Sequence, residues 1–387
     1  MNWQTLRIAV VGPMPPPRGG MAGQTQQLVE LLRREGAEVV IVPTNAPYRP
    51  RFLAPIRGLR AIPRLAGHIA RLWSAAGKVD ILHVMANSGW SWHLFAAPAI
   101  WIGRLRGRRV LVNYRGGEAS AFLQKSQRWV RPSLRAASAV AVPSGFLEDV
   151  FERFGIGSHV VPNVVDLAQF HPADPKGRLR HGAASDSVGA AGAYPAASTQ
   201  RTVLVARSLE PIYDIASALR AAAFLIDDIP GIRMVIAGSG PEEMALKALA
   251  RDLGIENAVV FSGRLDRDQM AAQLRQADVV LNSSRVDNMP NSVLEAMASG
   301  VPIVSTDVGG VPYIVSHERT ALLVPVEDAK AMAAAITRIL REPGLGARLA
   351  DAALTEVQRY AWPRVRDTLG GLYESILAQP SPHERIA

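Results

Sequence analysis

Apolar and polar positions along the chain alternate between two rhythms. Short apolar runs of buried-strand length are followed by, or lie near, longer stretches with helical spacing. LRIAVVG (6–12) reads as a first strand, Gly23 to Glu35 as a helix and EVVIVP (38–43) as a second strand. DILHVM (80–85), RVLVNY (109–114) and AVAVPS (139–144) continue this series, which ends near Asn163. A second series starts after residue 200. TVLVARS, RMVIAG, AVVFSG, VVLNSS, PIVSTD and LLVPV are its strands, interleaved with helices at Ile215 to Leu225, Pro241 to Leu253, Gln269 to Gln276, Asn291 to Ala298 and Ala329 to Arg341. Strands that alternate with helices predict parallel sheets covered by helices, here two doubly wound α/β domains.

The expected boundaries follow. Residues 1–165 form the N-terminal domain and 201–361 the C-terminal one, and the last helix, Trp362 to Leu377, opens a segment 362–387 that crosses back to the first domain. Between the domains, 166–200 is expected to be a linker with a flexible insertion, because 173–200 is rich in Ala, Gly, Ser and Asp without apolar period. The length of 387 residues and the 48% hydrophobic content suit two cores.

Composition narrows the chemistry. The absence of cysteine excludes disulfides, a thiol nucleophile and Cys-ligated metals, and it fits a reducing compartment. The N-terminus reads as a first strand, not a signal peptide. The most apolar stretch, His93 to Gly103, holds Pro98 and is too short to span a bilayer. A cytoplasmic location is expected, peripheral to the inner face of the plasma membrane. The net charge of +9 is carried almost wholly by Arg; the lysines are Lys78, Lys125, Lys176, Lys247 and Lys330. No interleaved aromatic–basic run of the nucleic-acid type occurs, so no nucleic-acid partner is expected.

Two segments carry candidate chemistry. In the turn after the first strand, GPMPPPRGGMAG, Gly12, Gly19, Gly20 and Gly23 allow close backbone approach, and the following helix offers free N–H groups to phosphate. The spacing is not G-x-G-x-x-G, which argues against a dinucleotide oxidoreductase. In DNMPNSVLEAMASG, Asp287 stands in a loop before a helix and Glu295 eight residues on, within it. Amides near Asn291 and Ser292 suit an anion, and the two acids accept bonds from hydroxyls. Taken singly, Glu295 is an ordinary early-helix acid and Asn291 an N-cap. Together they suit a ligand that is part phosphate and part polyol.

This segment resembles the acid-x7-acid motif of the family-four retaining glycosyltransferases, which have the GT-B fold, with Asp287 where most members have Glu. The resemblance extends through nearly the whole chain. It takes in the Gly19-Gly20 turn, AVPSGFLEDVFERFG with VVPNVVDLAQFHP (Ala141 to Pro172), IAGSGPEEMALKALARDLGIENAVVFSGRL with Gly238, and TDVGGVPYIV. The resemblance implies two Rossmann-like domains whose parallel sheets face a central cleft holding a nucleoside-diphosphate sugar. It further implies that Glu295 binds the ribose and Asp287 the sugar hydroxyls. The loop Asn288-Met289-Pro290 leads to the amides of Asn291 and Ser292, which hold the diphosphate. Arg207 neutralises the leaving group, and no metal or other cofactor is required. The implied acceptor is a lipid-linked or surface-polysaccharide intermediate.

The chain departs from the family pattern at three places. Ile212 stands where a Lys usually follows Arg207 by five, and Arg285 is the candidate substitute. Arg115, in Tyr114-Arg115-Gly116-Gly117-Glu118, replaces a usual His, keeping the capacity to bind phosphate or sugar hydroxyls but not an imidazole's chemistry. Tyr313 stands where an acid is common. These departures keep two other readings open: a catalytically silent nucleotide-sugar-binding protein and a nucleotide-sugar epimerase of the same fold. His83 is either a ligand-facing or a packed histidine. Finally, Arg57, Arg60, Arg64 and Arg71 cluster on one side of a helical wheel over Ile56 to Trp73, and Arg104, Arg106, Arg108 and Arg109 form a second cluster. The apolar side of the wheel is expected to face the core and the arginines an anionic membrane.

Overall fold

The structure, a computed structural model, describes residues 1–16, 20–46, 61–173 and 201–380. The chain divides into two compact units, Met1–Asn163 with Trp362–Ala387, and Val164–Ala361. In the first, β1 (Arg7–Gly12), β2 (Glu38–Pro43), β3 (Ile81–Ala86), β4 (Arg109–Tyr114), β5 (Ala139–Val142) and β6 (His159–Val160) form one sheet in the order β2-β1-β3-β4-β5-β6. All of its pairings are parallel. Burial of β3 throughout and of β1 after Arg7 is what a parallel sheet covered on both faces requires. The order reverses between β1 and β3. Right-handed crossovers therefore put α1 (Gly20–Arg34) on one face and α2 (Ala61–Ala76), α3 (Ala97–Leu105), α4 (Ala119–Ala136) and α5 (Gly145–Arg153) on the other. A five-residue π-turn, Trp92–Ala96, leads into α3 and keeps Trp92 and Ala96 inward.

The second unit repeats the plan. Its sheet runs β12-β11-β10-β7-β8-β9, again all parallel, with β7 (Thr202–Val205), β8 (Arg233–Ala237), β9 (Val259–Gly263), β10 (Val279–Asn282), β11 (Ile303–Thr306) and β12 (Leu322–Val324). Here the order reverses between β7 and β10. The helices are α6 (Ile215–Asp228), α7 (Glu243–Asp252), α8 (Arg267–Gln276), α9 (Asn291–Ala298), α10 (Ala329–Arg341) and α11 (Leu345–Glu356). Local signals set several starts: Asp266 and Gln269 form a capping box on α8, and Asp328 caps α10.

The expected linker divides in two. Val165 bridges Ala361 and Phe170 is buried in the second unit, so 166–173 packs there, whereas 174–200 lies outside the described residues. The last helix, α12 (Trp362–Ala378), belongs to the first unit. It buries Val365, Leu369, Tyr373 and Ile376, and the Trp362 indole N–H donates to Glu35 at the end of α1 (2.8 Å).

Candidate functional site

In open α/β sheets, ligands bind where the strand order reverses, beyond the carboxyl ends of the strands. In the second unit that point lies between β7 and β10. Arg207 follows β7 and Asp287 follows β10, and the two form a nearly buried ion pair across the switch point. The Arg207 guanidinium also stacks on Tyr213, 4.0 Å from the ring centroid, and its buried Nε has no protein partner among the described residues.

Asp287 is over-determined by its surroundings. Ser284 donates to its carboxylate (3.4 Å) and to Asn282 Oδ1 (2.8 Å), Asn282 donates to Ser305 (3.0 Å), and Thr306 donates to the Ser284 carbonyl (2.6 Å). All four partners are buried. A fully paired network in a low-dielectric interior fixes the loop rigidly. Gly309 lies over the Asp287 backbone with φ +55°, and the Gly310 amide donates to the Asp287 carbonyl (2.8 Å). A Cβ on Gly309 would overlap that carbonyl, so glycine is needed for both space and φ. Burial raises the Asp287 carboxyl above its ordinary range; Arg207, Ser284 and the amides of Asn288 and Met289 oppose the rise.

Glu295 lies on α9. The helix is capped by Pro290, not by Asn291, which is its first helical residue, and Pro290 makes no side-chain cap bond. Proline at this position has no side-chain acceptor to offer, and the positive end of a helix attracts an anion. The Ser292 hydroxyl is buried without a protein partner among the described residues. The Glu295 carboxyl is pushed up to about 7 by burial, against the fields of Arg267 and Arg207. One edge of the second unit thus brings together a cation, two acids and the start of a helix with proline as its N-cap.

Gly238 follows β8, but its role is indirect: a Cβ there would overlap the Arg207 carbonyl oxygen. Gly240 packs likewise on Leu209. These glycines let the loop carrying Arg207 close onto the neighbouring loop. Gly238→Ala is therefore expected to displace Arg207, weakening nucleotide-sugar binding about tenfold or more and destabilising the fold by about 1–3 kcal/mol. Calorimetric binding and thermal unfolding check this, with Gly117→Ala as control, since a Cβ at Gly117 meets nothing within 4 Å.

Arg285, the candidate substitute for a cation at Ile212, is already held by Asp214 (3.3 Å) and Glu327 (2.8 Å). Its backbone amide donates to the Ile212 carbonyl (2.9 Å). A guanidinium paired with two carboxylates has less charge left for a diphosphate than Arg207, which pairs with Asp287 alone among the described residues' ion pairs.

The remaining candidates lie in the first unit. Gly20 is the first residue of α1, with open space around it, and Gly19 lies outside the described residues. Arg115 sits at the end of β4. Its Nε donates to Asn113 Oδ1 (2.8 Å) and its Nη1 to Asn163, and burial lowers it to about 10. This chain continues inward. Because Asn113 Oδ1 accepts from Arg115, its amide nitrogen faces His83 Nε2 (3.0 Å), which must accept. The proton of the neutral imidazole is thereby assigned to Nδ1, which donates to the Tyr373 hydroxyl of α12 (2.6 Å). Of the two readings of His83, the structure takes the packed one: it is fully buried and held neutral, lowered to about 3.

The first unit also has a cavity of about 200 Å³ at its own switch point, lined among others by Val11, Met21, Thr44, Asn45, Arg64 and Phe95. Arg64 turns inward there, donating to the Thr44 carbonyl (2.8 Å) with its guanidinium 6.0 Å from the Phe95 ring centroid. Arg108 donates to the carbonyls of Ala76 and Gly77, and Arg109 to those of Ile376 and Gln379. Three of the six described arginines of the expected basic surface are thus spent on the fold, and Arg57 and Arg60 lie outside the described residues. Among the described residues no helix is long and apolar enough to cross a membrane.

Fold and site together define a doubly wound α/β protein with a candidate ligand site at the switch point of its second sheet. Residues 192–355 match the family model of the group 1 glycosyl transferases, and 18–169 that of glycosyltransferase family 4. The chain is 29% identical to the phosphatidyl-myo-inositol mannosyltransferase of Mycolicibacterium smegmatis, over 96% of this chain and 94% of that one. It is 33% identical to the D-inositol 3-phosphate glycosyltransferase of Acidothermus cellulolyticus, over 57% of this chain and 48% of that one. Its fold is similar to that of sucrose-phosphate synthase from Thermosynechococcus elongatus (TM-score 0.73, 21% identity, 96% and 99% of the chains). Anabaena HepE in complex with UDP and glucose is also similar (TM-score 0.69, 16% identity, 97% and 100%). The chain belongs to the group 1, family-four glycosyltransferases of GT-B fold, and it is a glycosyltransferase.

Proposed function

We propose that the protein is a retaining enzyme that moves a sugar from a nucleoside-diphosphate sugar to a lipid-linked or saccharide acceptor at an anionic membrane surface. The observation that carries this reading is the convergence of Arg207, Asp287 and Glu295 near the start of α9, where the N-cap Pro290 brings no side-chain acceptor. Glu295 accepts bonds from the ribose hydroxyls and Asp287 from the sugar. The amides of Asn291 and Ser292 hold the diphosphate, with the Ser292 hydroxyl as a further donor. The bond from the anomeric carbon to the phosphate oxygen breaks, and its electron pair goes to the diphosphate. An acceptor hydroxyl bonds to the same face of that carbon and passes its proton to the departing phosphate. Arg207 and the helix amides stabilise the developing charge, so the step needs no metal ion.

Both relatives have names that join a sugar transfer to an inositol phosphate. On the acceptor side, the cavity with Arg64 as its cation and Asn45 and Thr44 as polar groups suits a polyol carrying a phosphate. The first experiment is a screen of UDP-, GDP- and ADP-sugars by thermal stabilisation and donor hydrolysis, with Glu295→Ala as control. A donor at about 100 times its Kd adds about 2.7 kcal/mol of stability. Stabilisation of the wild type by one donor, absent in the variant, supports the reading; stabilisation by none overturns it. The anomeric configuration of the product tests retention.

A further inference from the structure

The face of the first unit formed by α2, α3 and α4 shows an unusual surface. Along the helical run that ends in α3, the outward positions are Trp90, Leu94, Trp101 and Leu105, with no polar side chain in that line. Trp90 is 78% exposed and Leu105 66%. On the adjacent α4, Trp129 is 79% exposed, and on α2 Trp73 is exposed with Arg106 stacked 4.9 Å over its ring. Four of the seven tryptophans of the chain therefore face solvent here. The helices that carry them are neighbours, α3 touching both α2 and α4. Phe122 of α4 packs on His93 at the start of the α3 run. Advancing at about 1.5 Å per residue brings Trp129 of α4 to about the level of Trp101.

The charges around this stripe are predominantly of one sign. Residues 61–147 contain twelve Arg or Lys against two acids, Asp80 and Glu118; Arg64, Arg108, Arg109 and Arg115 are turned into the fold, and Glu118 is exposed at the start of α4. Asp80 is neutralised by Arg7. Arg71, Arg106, Lys125, Arg128 and Arg135 are exposed, and α4 shows no acid on its outward line.

We infer that this face is a lipid-docking surface. Trp90, Leu94, Trp101, Leu105 and Trp129 enter the interfacial layer of an anionic bilayer, and the surrounding Arg and Lys bind its phosphates. Tryptophan prefers that layer because its ring is apolar and its N–H stays wet. Charge predominantly of one sign selects an anionic sheet and repels a second copy of the same face. The docking face runs over α3 and α4 and takes in Arg71 and Trp73 at the end of α2, whereas Arg64 of α2 is turned inward. The inference builds on the proposed transfer at a membrane surface but needs neither donor nor turnover.

The test is flotation of the full chain with vesicles of phosphatidylcholine alone or mixed with phosphatidylglycerol. Binding is expected to the mixed vesicles only, with a blue shift of tryptophan emission and quenching by brominated lipid. Trp101→Ser with Leu105→Ser, and separately Trp129→Ser, should each weaken vesicle binding about tenfold or more. The melting temperature and any donor-induced stabilisation should not change. Wild-type binding unaffected by these variants, absence of lipid quenching, or a dimer that covers Trp101 and Trp129 would overturn the inference. Donor binding without vesicle binding sinks this inference alone, and vesicle binding without donor binding sinks the donor reading alone.

Discussion

Glu295→Gln is expected to stabilise the protein at pH 8 while weakening its hold on the donor at least tenfold. The carboxyl is pushed up to about 7 by burial, against an ordinary value of 4.5 in the unfolded chain. Between these values the folded state holds a proton that the unfolded state has lost. The stability associated with Glu295 is therefore fully present below about pH 4.5 and is lost as pH rises through about 7. A shift of this size is worth at most about 3 kcal/mol, and the carboxylate's remaining contact with water brings the expectation to about 1–3 kcal/mol. Glutamine does not titrate. The variant should match the wild type near pH 4.5 and exceed it at pH 8 in denaturant unfolding. Donor affinity should move the other way, because an ionised acceptor bonds hydroxyls more strongly than an amide does, by about 1.5–3 kcal/mol. A variant less stable than the wild type at pH 8 would show that Glu295 is not a strained, buried acid.

How far this site was legible in the sequence depends on the range of the interactions that build it. The loop carrying Asp287 and the helix carrying Glu295 are local, and the pattern of DNMPNSVLEAMASG places α9 over Asn291–Ala298. What the segment does not reveal is its support. Asn282, Ser284, Ser305 and Thr306 sit at the ends of buried strands, where sequence shows only polar residues closing apolar runs (VVLNSS, PIVSTD). Their bonding emerges only when β10 and β11 pair. That polar ending of two strands was the available signal.

Gly238 was legible as a glycine the site needs, yet the reason is its contact with Arg207, a residue 31 positions earlier. The tautomer of His83 depends on Arg115 and on Tyr373, which is 290 residues from His83 in sequence. Charge patterning misled in a specific way. A helical wheel places Arg64 on a basic side, but its stem is long enough to turn the guanidinium inward onto Thr44. The outward stripe of α3 was hidden for the opposite reason: in a stretch as apolar as His93 to Gly103, periodicity cannot say which residues face water.

The pair at the switch point should show the largest effects on turnover. Arg207→Ala and Asp287→Asn are each expected to lower donor turnover by about a hundredfold or more, because removing one charge-stabilising donor from a desolvated site costs about 2.7–4 kcal/mol. Arg207→Lys should not restore the rate. An ammonium can neither stack flat on Tyr213 nor present a fork to Asp287 and a phosphate together. Stability should respond differently from rate. Either single substitution leaves the other group nearly buried without its partner, expected to cost about 3–5 kcal/mol. The Asp287 carboxyl, already raised by burial, would rise further without Arg207 and take up a proton to limit that cost. Arg207→Met combined with Asp287→Leu should therefore unfold at a higher denaturant concentration than Arg207→Met alone, while remaining inactive. The double-mutant cycle separates the two roles. Strong coupling in stability together with equal rate losses in the single variants means that the ion pair acts as one unit in turnover. Independent rate losses that simply multiply would mean that Arg207 and Asp287 meet different parts of the donor.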